Sequence, residues 1–234
     1  MVLPLNLAMT PTEISSNYPC SHPIAYMACS FSPYTQGLSG IPSTLPPGSM
    51  LILNDRMCCQ GHSPDLVVGQ LQEAVACLDC ESVLLDFQRP PDPESEAMVR
   101  KIVHSLPCPA AVTEGFAKGL DCAVFLGPLP LHIPLADYIQ PWIDREIWLE
   151  LALCQGELVV TAKGSSATSH FPSEYRSGGF YDDTLCCQYQ ISVEEKQIVF
   201  SLFDTLESLT QKADLAHRLG VARGIGLWQE LRNL

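Results

Sequence analysis

The sequence predicts an α/β chain folded as a trimmed (β/α)8 barrel of the TIM type, with some helices shortened to loops. Three observations carry this. Short apolar runs of strand length alternate with helix-period stretches from about residue 24 to the carboxyl end, and such alternation gives parallel strands joined by right-handed crossovers. The nearest candidate for a phosphate-binding loop, Gly220-Val-Ala-Arg-Gly224-Ile-Gly226, precedes a strand instead of following one, which favours a closed barrel over a dinucleotide-binding sheet. At 234 residues the chain falls short of the roughly 250 that a complete barrel uses, hence the trimming.

Residues 1–22 read as an irregular leader broken by Pro4, Pro11 and Pro19, and residues 23–234 as a single barrel domain. Ile24-Ala-Tyr-Met-Ala-Cys-Ser30 is the first strand. Residues 32–49, rich in Gly, Pro and Ser, read as a long loop where one unit of the barrel is missing. Met50-Leu-Ile-Leu-Asn54 is a second buried strand. A helix follows through Leu66, Val67, Leu71, Val75 and Leu78, introduced by Ser63-Pro64. Then come a strand over 82–87, a helix near 94–105 and a strand near 109–113. A short helical piece near 114–119 leads into Cys122-Ala-Val-Phe-Leu126.

Residues 127–141 hold four prolines and read as a loop with a helical turn. Glu146 to Leu153 and Glu157 to Thr161 are apolar strand candidates, the first also compatible with a helix. Residues 163–183 read as a polar, glycine-rich loop. Ile198 to Phe203 is a strand, and Asp204 with Glu207 makes a capping box. Behind it runs the apolar stripe Leu206, Leu209, Ala213, Ala216 and Leu219, closed by Gly220. Gly224-Ile-Gly-Leu-Trp228 returns as a buried strand.

Composition excludes several functions. Thirteen Lys and Arg against 26 Asp and Glu give a net charge of -13, which repels phosphate backbones and anionic lipid, so neither nucleic acid nor membrane is an expected partner. Nothing in the chain marks an oligomeric state. The 11 cysteines include Cys58-Cys59, Cys186-Cys187 and Cys77-x-x-Cys80. The first nine residues lack a basic region and are broken by Pro4 and Asn6, so a cytoplasmic location with reduced, mostly buried thiols is expected. Cys77-x-x-Cys80 lies within the helical pattern from about Asp65 to Asp79, with no second such motif at zinc spacing. His22, His62, His104, His132, His170 and His217 are scattered. Neither a metal site nor a cofactor is expected.

One strand carries chemistry. Glu81-Ser-Val-Leu-Leu-Asp-Phe-Gln88 reads as a short buried strand ending in two polar side chains. It resembles the signature strand of family 18 (chitinase-type) glycoside hydrolases, which ends Asp-x-Asp-x-Glu. Here the last Asp is Asp86, the earlier one is replaced by Leu84, and the proton donor is replaced by Gln88. The closing segment, Phe200 through Lys212 and Gly220 through Glu230, is similar to the last two units of those barrels, where Trp228 matches a tryptophan that supports the sugar ring. Tyr181-Asp182-Asp183 is similar to a Tyr-Asp pair that family members place near substrate. The resemblance implies a barrel that keeps its shape without its usual acid, because an amide has no titratable proton. A pseudoenzyme retained for carbohydrate binding or as a scaffold follows.

Barrel geometry names candidates without the family. Ligands bind at the carboxyl ends of the strands, and those ends present Asp86, Gln88, Glu114, Trp148, Glu150, Asp204, Trp228, Gln229 and Glu230. Carboxylates beside tryptophans suit a carbohydrate or another small polar ligand. Each residue also has a plainer role: Asp86 capping a turn, Asp204 capping a helix, the glutamates on an exposed rim, the tryptophans in the core. Asp86, Gln88, Trp148, Glu150, Trp228 and Glu230 are the expected ligand contacts. The alternative is an active glycosidase in which Glu150, Glu114 or Glu230 replaces the missing acid and works with Asp86. The apolar neighbours of Glu150 would raise its pKa, as a general acid requires. A third possibility is a barrel enzyme of another class, with a phosphate at the helix beginning Thr205.

Overall fold

The structure is a computed structural model that describes residues 3–17, 22–172 and 178–232. Its centre is a ring of parallel strands. β1 (Leu5–Met9) pairs with β2 (Ile24–Phe31), to whose far end the two-residue β3 (Leu38–Ser39) adds antiparallel. The ring continues through β4 (Met50–Asn54), β5 (Ser82–Asp86), β6 (Ala110–Thr113), β7 (Ala123–Leu126) and β8 (Ile147–Glu150). A last strand, Arg223–Leu227, pairs with β8 on one side and β1 on the other, closing eight parallel strands.

The leader expected over residues 1–22 is therefore corrected. Leu5 to Met9 is a barrel strand, buried at all five positions, and Pro11–Asn17 forms the helix α1. A parallel strand flanked on both sides is buried on both faces, so β1 lacks the apolar-in, polar-out pattern of a half-exposed strand and even buries the polar Asn6. The gap at 32–49 does lack a helix, with only β3 inside it. α2 (Pro64–Cys77) starts at Ser63, whose hydroxyl accepts from the Leu66 N–H. α3 (Pro93–Ser105) starts at Asp92 in a reciprocal box with Ser95. After β6 a single 3-10 turn, Glu114–Phe116, replaces a helix, and the β7–β8 connection carries only α4 (Leu135–Ile139) and a 3-10 turn.

A second correction concerns residues 155–203. The strands expected near 157–161 and 198–203 do not join the barrel, and the expected loop at 163–183 is largely sheet. β9 (Gln155–Thr161), β10 (Gly164–His170), β11 (Phe180–Asp182), β12 (Cys187–Glu194) and β13 (Gln197–Phe203) form an antiparallel sheet in the order β10-β9-β13-β12-β11. It is inserted between β8 and the helix α5 (Leu206–Arg218), ahead of β14, the strand over 223–227. The N-cap of α5 is Thr205, paired with Ser208, and not Asp204 with Glu207. Asp204 is buried instead, accepting from Lys212 Nζ at 2.9 Å and from the Cys154 N–H at 3.2 Å, while its own N–H donates to the Cys154 carbonyl. The insert thus starts and ends at one hydrogen-bonded point. The ten cysteines among the described residues form no disulfide.

Side chains alternate between two cores, as the twofold strand period requires. Leu51, Leu53, Val83, Leu85, Leu149 and their counterparts face the helices. Ala8, Ala25, Met50, Ile52, Leu84, Ala111, Ala123, Phe125, Trp148 and Ile225 fill the barrel interior. The four alanines leave room for one indole: Trp148 is 0% exposed. Its ring N–H donates to Glu146 Oε1 at 2.6 Å, and the guanidinium of Arg223 lies 4.9 Å from its centroid. Arg223 also reaches Asn6 Oδ1, Glu81 Oε1 and Ser82 Oγ, all near the amino ends of their strands. This network seals that end of the barrel and leaves the other open.

Candidate functional site at the carboxyl ends of the strands

The open end holds a cavity of about 460 Å³. Its apolar wall comes from Ala8, Met27, Ile52, Leu84, Phe125 and Leu227, and its polar wall from Asn54, Asp55, Arg56, Asp86, Gln88, Arg89 and Glu150. This matches the usual ligand site, mostly apolar with a few convergent polar groups.

Strand parity places these groups. On β5, Val83, Leu85 and Phe87 face the helices, so Leu84, Asp86 and Gln88 face inward. Asp86 and Gln88 both line the cavity, and Gln88 Nε2 donates to Asp86 Oδ1 at 2.5 Å. On β8, Trp148 and Glu150 share the inward face: Trp148 lies in the packed interior, Glu150 one layer higher on the cavity. On β14, Ile225 and Leu227 face inward. A Cβ at Gly226 would strike the Leu151 carbonyl and the Leu231 side chain.

Of the residues singled out as ligand contacts or catalytic candidates, Asp86, Gln88 and Glu150 converge on one cavity. The others do not line it. Trp148 is core, with no surface to offer. Trp228, the first residue of the short helix α6 (Trp228–Leu231), packs against the outer core, with Arg232 over its ring at 4.6 Å. It falls one residue past the last inward position, so the cavity edge is Leu227 in its place. Glu230 accepts from the Leu153 N–H at 2.9 Å and fastens α6 to the β8–β9 connection. Glu114 is exposed on the turn after β6. Tyr181 and Asp182 belong to the inserted sheet, where Asp182 accepts from the Thr184 and Leu185 N–H groups of a turn.

Sequence inspection missed the residue that builds the polar wall. Asp55, 6% exposed, accepts from the Gln88 N–H at 3.0 Å and the Arg89 N–H at 2.9 Å. Arg89 returns Nε to the Asp55 carbonyl and Nη2 to the Arg56 carbonyl. Asn54 donates to the carbonyls of Met27 and Cys29. The loops after β4 and β5 are thereby welded together, and the only sequence trace is a polar Asn-Asp-Arg run closing a buried strand.

Burial governs the carboxyls. Glu150 is pushed up to about 7, first by desolvation and then by the charges of Asp86 and Glu230. Asp86 is raised by desolvation and the nearby Asp55, with the Gln88 hydrogen bond acting against both. Glu230 is also raised by burial, partly offset by the Leu153 N–H. Tyr138 on α4 is pushed up to about 12 by burial and by Glu114 and Glu150. The cavity thus holds two carboxyls that burial biases toward the protonated form, Glu150 most strongly. Among the described residues no cluster of His, Cys, Asp and Glu has the arrangement of a metal site.

Known structures share this architecture. A class V chitinase from Nicotiana tobaccum, solved as a glutamate-to-glutamine variant in complex with NAG4, superimposes with a TM-score of 0.60 at 12% identity, over 97% of this chain and 94% of that one. The chain has the fold of the family 18 chitinases and chitinase-like proteins. The chitinase-like agglutinin RobpsCRA of Robinia pseudoacacia gives 0.57 at 13% identity, over 94% of this chain and 93% of that one. The spore cortex-lytic enzyme SleL of Bacillus megaterium gives 0.54 at 12%, over 97% and 70%. No sequence-family description matches the chain, and no curated protein sequence does either. The family 18 fold here is a closed parallel ring with six helices among the described residues.

Proposed function

We propose that the protein is a non-hydrolytic family 18-like barrel that binds a carbohydrate in the cavity above Trp148. One observation carries the proposal: the inward position at the end of β5, next after Asp86, is filled by an amide that spends its N–H on that aspartate. General acid catalysis contributes about 100- to 10,000-fold, and an amide supplies none of it. The cavity keeps what binding needs, with a volume suited to one or two sugar rings, apolar side chains, and several hydrogen-bonding groups among its lining. Fold neighbours support the ligand class, one being crystallised with NAG4 and another being an agglutinin. The acidic composition, and cysteines that form no disulfide among the described residues, fit a cytoplasmic protein.

A second reading has its own observation. Glu150 shares the cavity with Asp86 and is pushed up to about 7, the value a general acid needs. The two readings part on one experiment: titration of N-acetylglucosamine oligomers by calorimetry, alongside turnover of aryl-glycoside substrates. Binding without turnover is expected. Turnover abolished by Glu150→Gln would establish the relocated acid, and absence of both binding and turnover would remove the carbohydrate site.

A further inference from the structure

The basic residues of this chain are few, 13 against 26 acidic, and two stand together at the cavity. Arg56 and Arg89 follow neighbouring strands β4 and β5, and both line the polar wall. Neither reaches a carboxylate within ion-pair distance among the described residues, whose ion pairs are Lys101–Asp65, Lys212–Asp204 and Arg223–Glu81. Asp55, next to Arg56 in the chain, commits both carboxylate oxygens to backbone N–H groups.

Arg89 is held in place. Its Nε and Nη2 donate to the carbonyls of Asp55 and Arg56 at 3.0 and 3.1 Å, which uses two of the five N–H groups of a guanidinium and leaves the rest for a ligand. A cation anchored in this way loses little conformational freedom on binding. Arg56 donates no side-chain hydrogen bond among the described residues; only its backbone is engaged, the N–H by Asn54 and the carbonyl by Arg89.

We infer that the ligand of this cavity is an acidic sugar, a saccharide bearing a carboxylate, met at the rim by the guanidinium groups of Arg56 and Arg89. The inference rests on the carbohydrate-binding reading and narrows it. A carboxylate matches the planar fork of arginine. A phosphate dianion is disfavoured there: the cavity is lined by three carboxylic side chains, Asp55, Asp86 and Glu150, and by no helix N-terminus.

Calorimetric titration compares four probes on the full chain: a hexuronic acid–N-acetylhexosamine disaccharide, the same disaccharide with its carboxyl reduced to an alcohol, an N-acetylglucosamine disaccharide, and its 6-O-sulfated form. The acidic disaccharide is expected to bind about 10-fold or more tighter than its reduced form, the scale of a charge-assisted bidentate contact. The exposed-site substitution Arg56→Gln should shrink that preference while circular dichroism stays unchanged, and Arg89→Gln should shrink it further. Equal affinity for the acidic and reduced disaccharides overturns the inference and leaves sugar binding intact. A preference for the sulfated probe alone overturns the carboxylate. No binding by any probe overturns the carbohydrate reading, and this inference with it.

Discussion

Gln88 and Asp86, two residues apart on β5, point the same way into the barrel mouth and are joined by an amide-to-carboxylate hydrogen bond. That bond opposes the desolvation of Asp86, so the amide favours the charged form of the aspartate that burial disfavours. Gln88→Glu replaces this donor with a second acid at the same spot. Two carboxyls there must share a proton, and the substitution is expected to raise turnover of an aryl chitooligoside from undetectable to at least about 100-fold above background. Continued silence in that variant would show that the missing proton donor is not what stops the reaction.

Glu150 gives stability a pH dependence of definite sign. Its carboxyl sits at about 7 in the fold against an ordinary 4.5, so the folded chain retains a proton that the unfolded chain releases. The resulting cost is absent below 4.5, grows as pH rises, and is complete above 7. Glu150→Gln removes it. Denaturant titration should find the variant more stable than the parent by up to about 3 kcal/mol at about pH 8, and nearly equal at about pH 4. A gain that is larger in acid would contradict the burial of this carboxyl.

Trp228 lies on the outer side of the barrel wall, against the outer core and under Arg232. Trp228→Ala should therefore leave the affinity of any cavity ligand within about twofold, whereas Asp86→Ala should weaken it about 10-fold. Intrinsic fluorescence and calorimetry on both variants separate the two positions. A large loss in the tryptophan variant would place the ligand elsewhere.

Lys212 and Asp204 form a buried pair, with side chains 3% and 0% exposed. Burial raises Asp204 in spite of the lysine, which measures how costly that site is for a charge. Lys212→Met strands the carboxylate and should cost about 3–5 kcal/mol. Adding Asp204→Asn should recover much of the loss, since no unpaired ion then remains. Thermal unfolding of the single and double variants tests the cycle.

Much of this was legible in the chain. Seven of the eight barrel strands are legible as short apolar runs, β8 as one also compatible with a helix, and the twofold period alone aims Asp86, Gln88 and Glu150 inward. What escaped did so for physical reasons. β1 looked like a leader because a fully buried parallel strand has no alternating pattern, and Pro4 stands directly before it. β13 has the same apolar look as a barrel strand, and only pairing partners distinguish parallel from antiparallel. Trp228 depended on where β14 ends: one residue of error turns a sugar platform into an outer packing residue. Asp55 acts on backbone groups 33 and 34 positions away, and no local spacing betrays such a contact.

The inserted sheet leaves the barrel at Cys154 and comes back at Asp204, where the two backbones touch. A detour whose feet stand together puts no tension on the ring it departs from. Lengthening, shortening or exchanging that excursion leaves the eight-strand circuit geometrically undisturbed, provided Leu131 and Ala152 keep an apolar cover. The fold therefore has a place where its outline can be rewritten while its mouth stays the same.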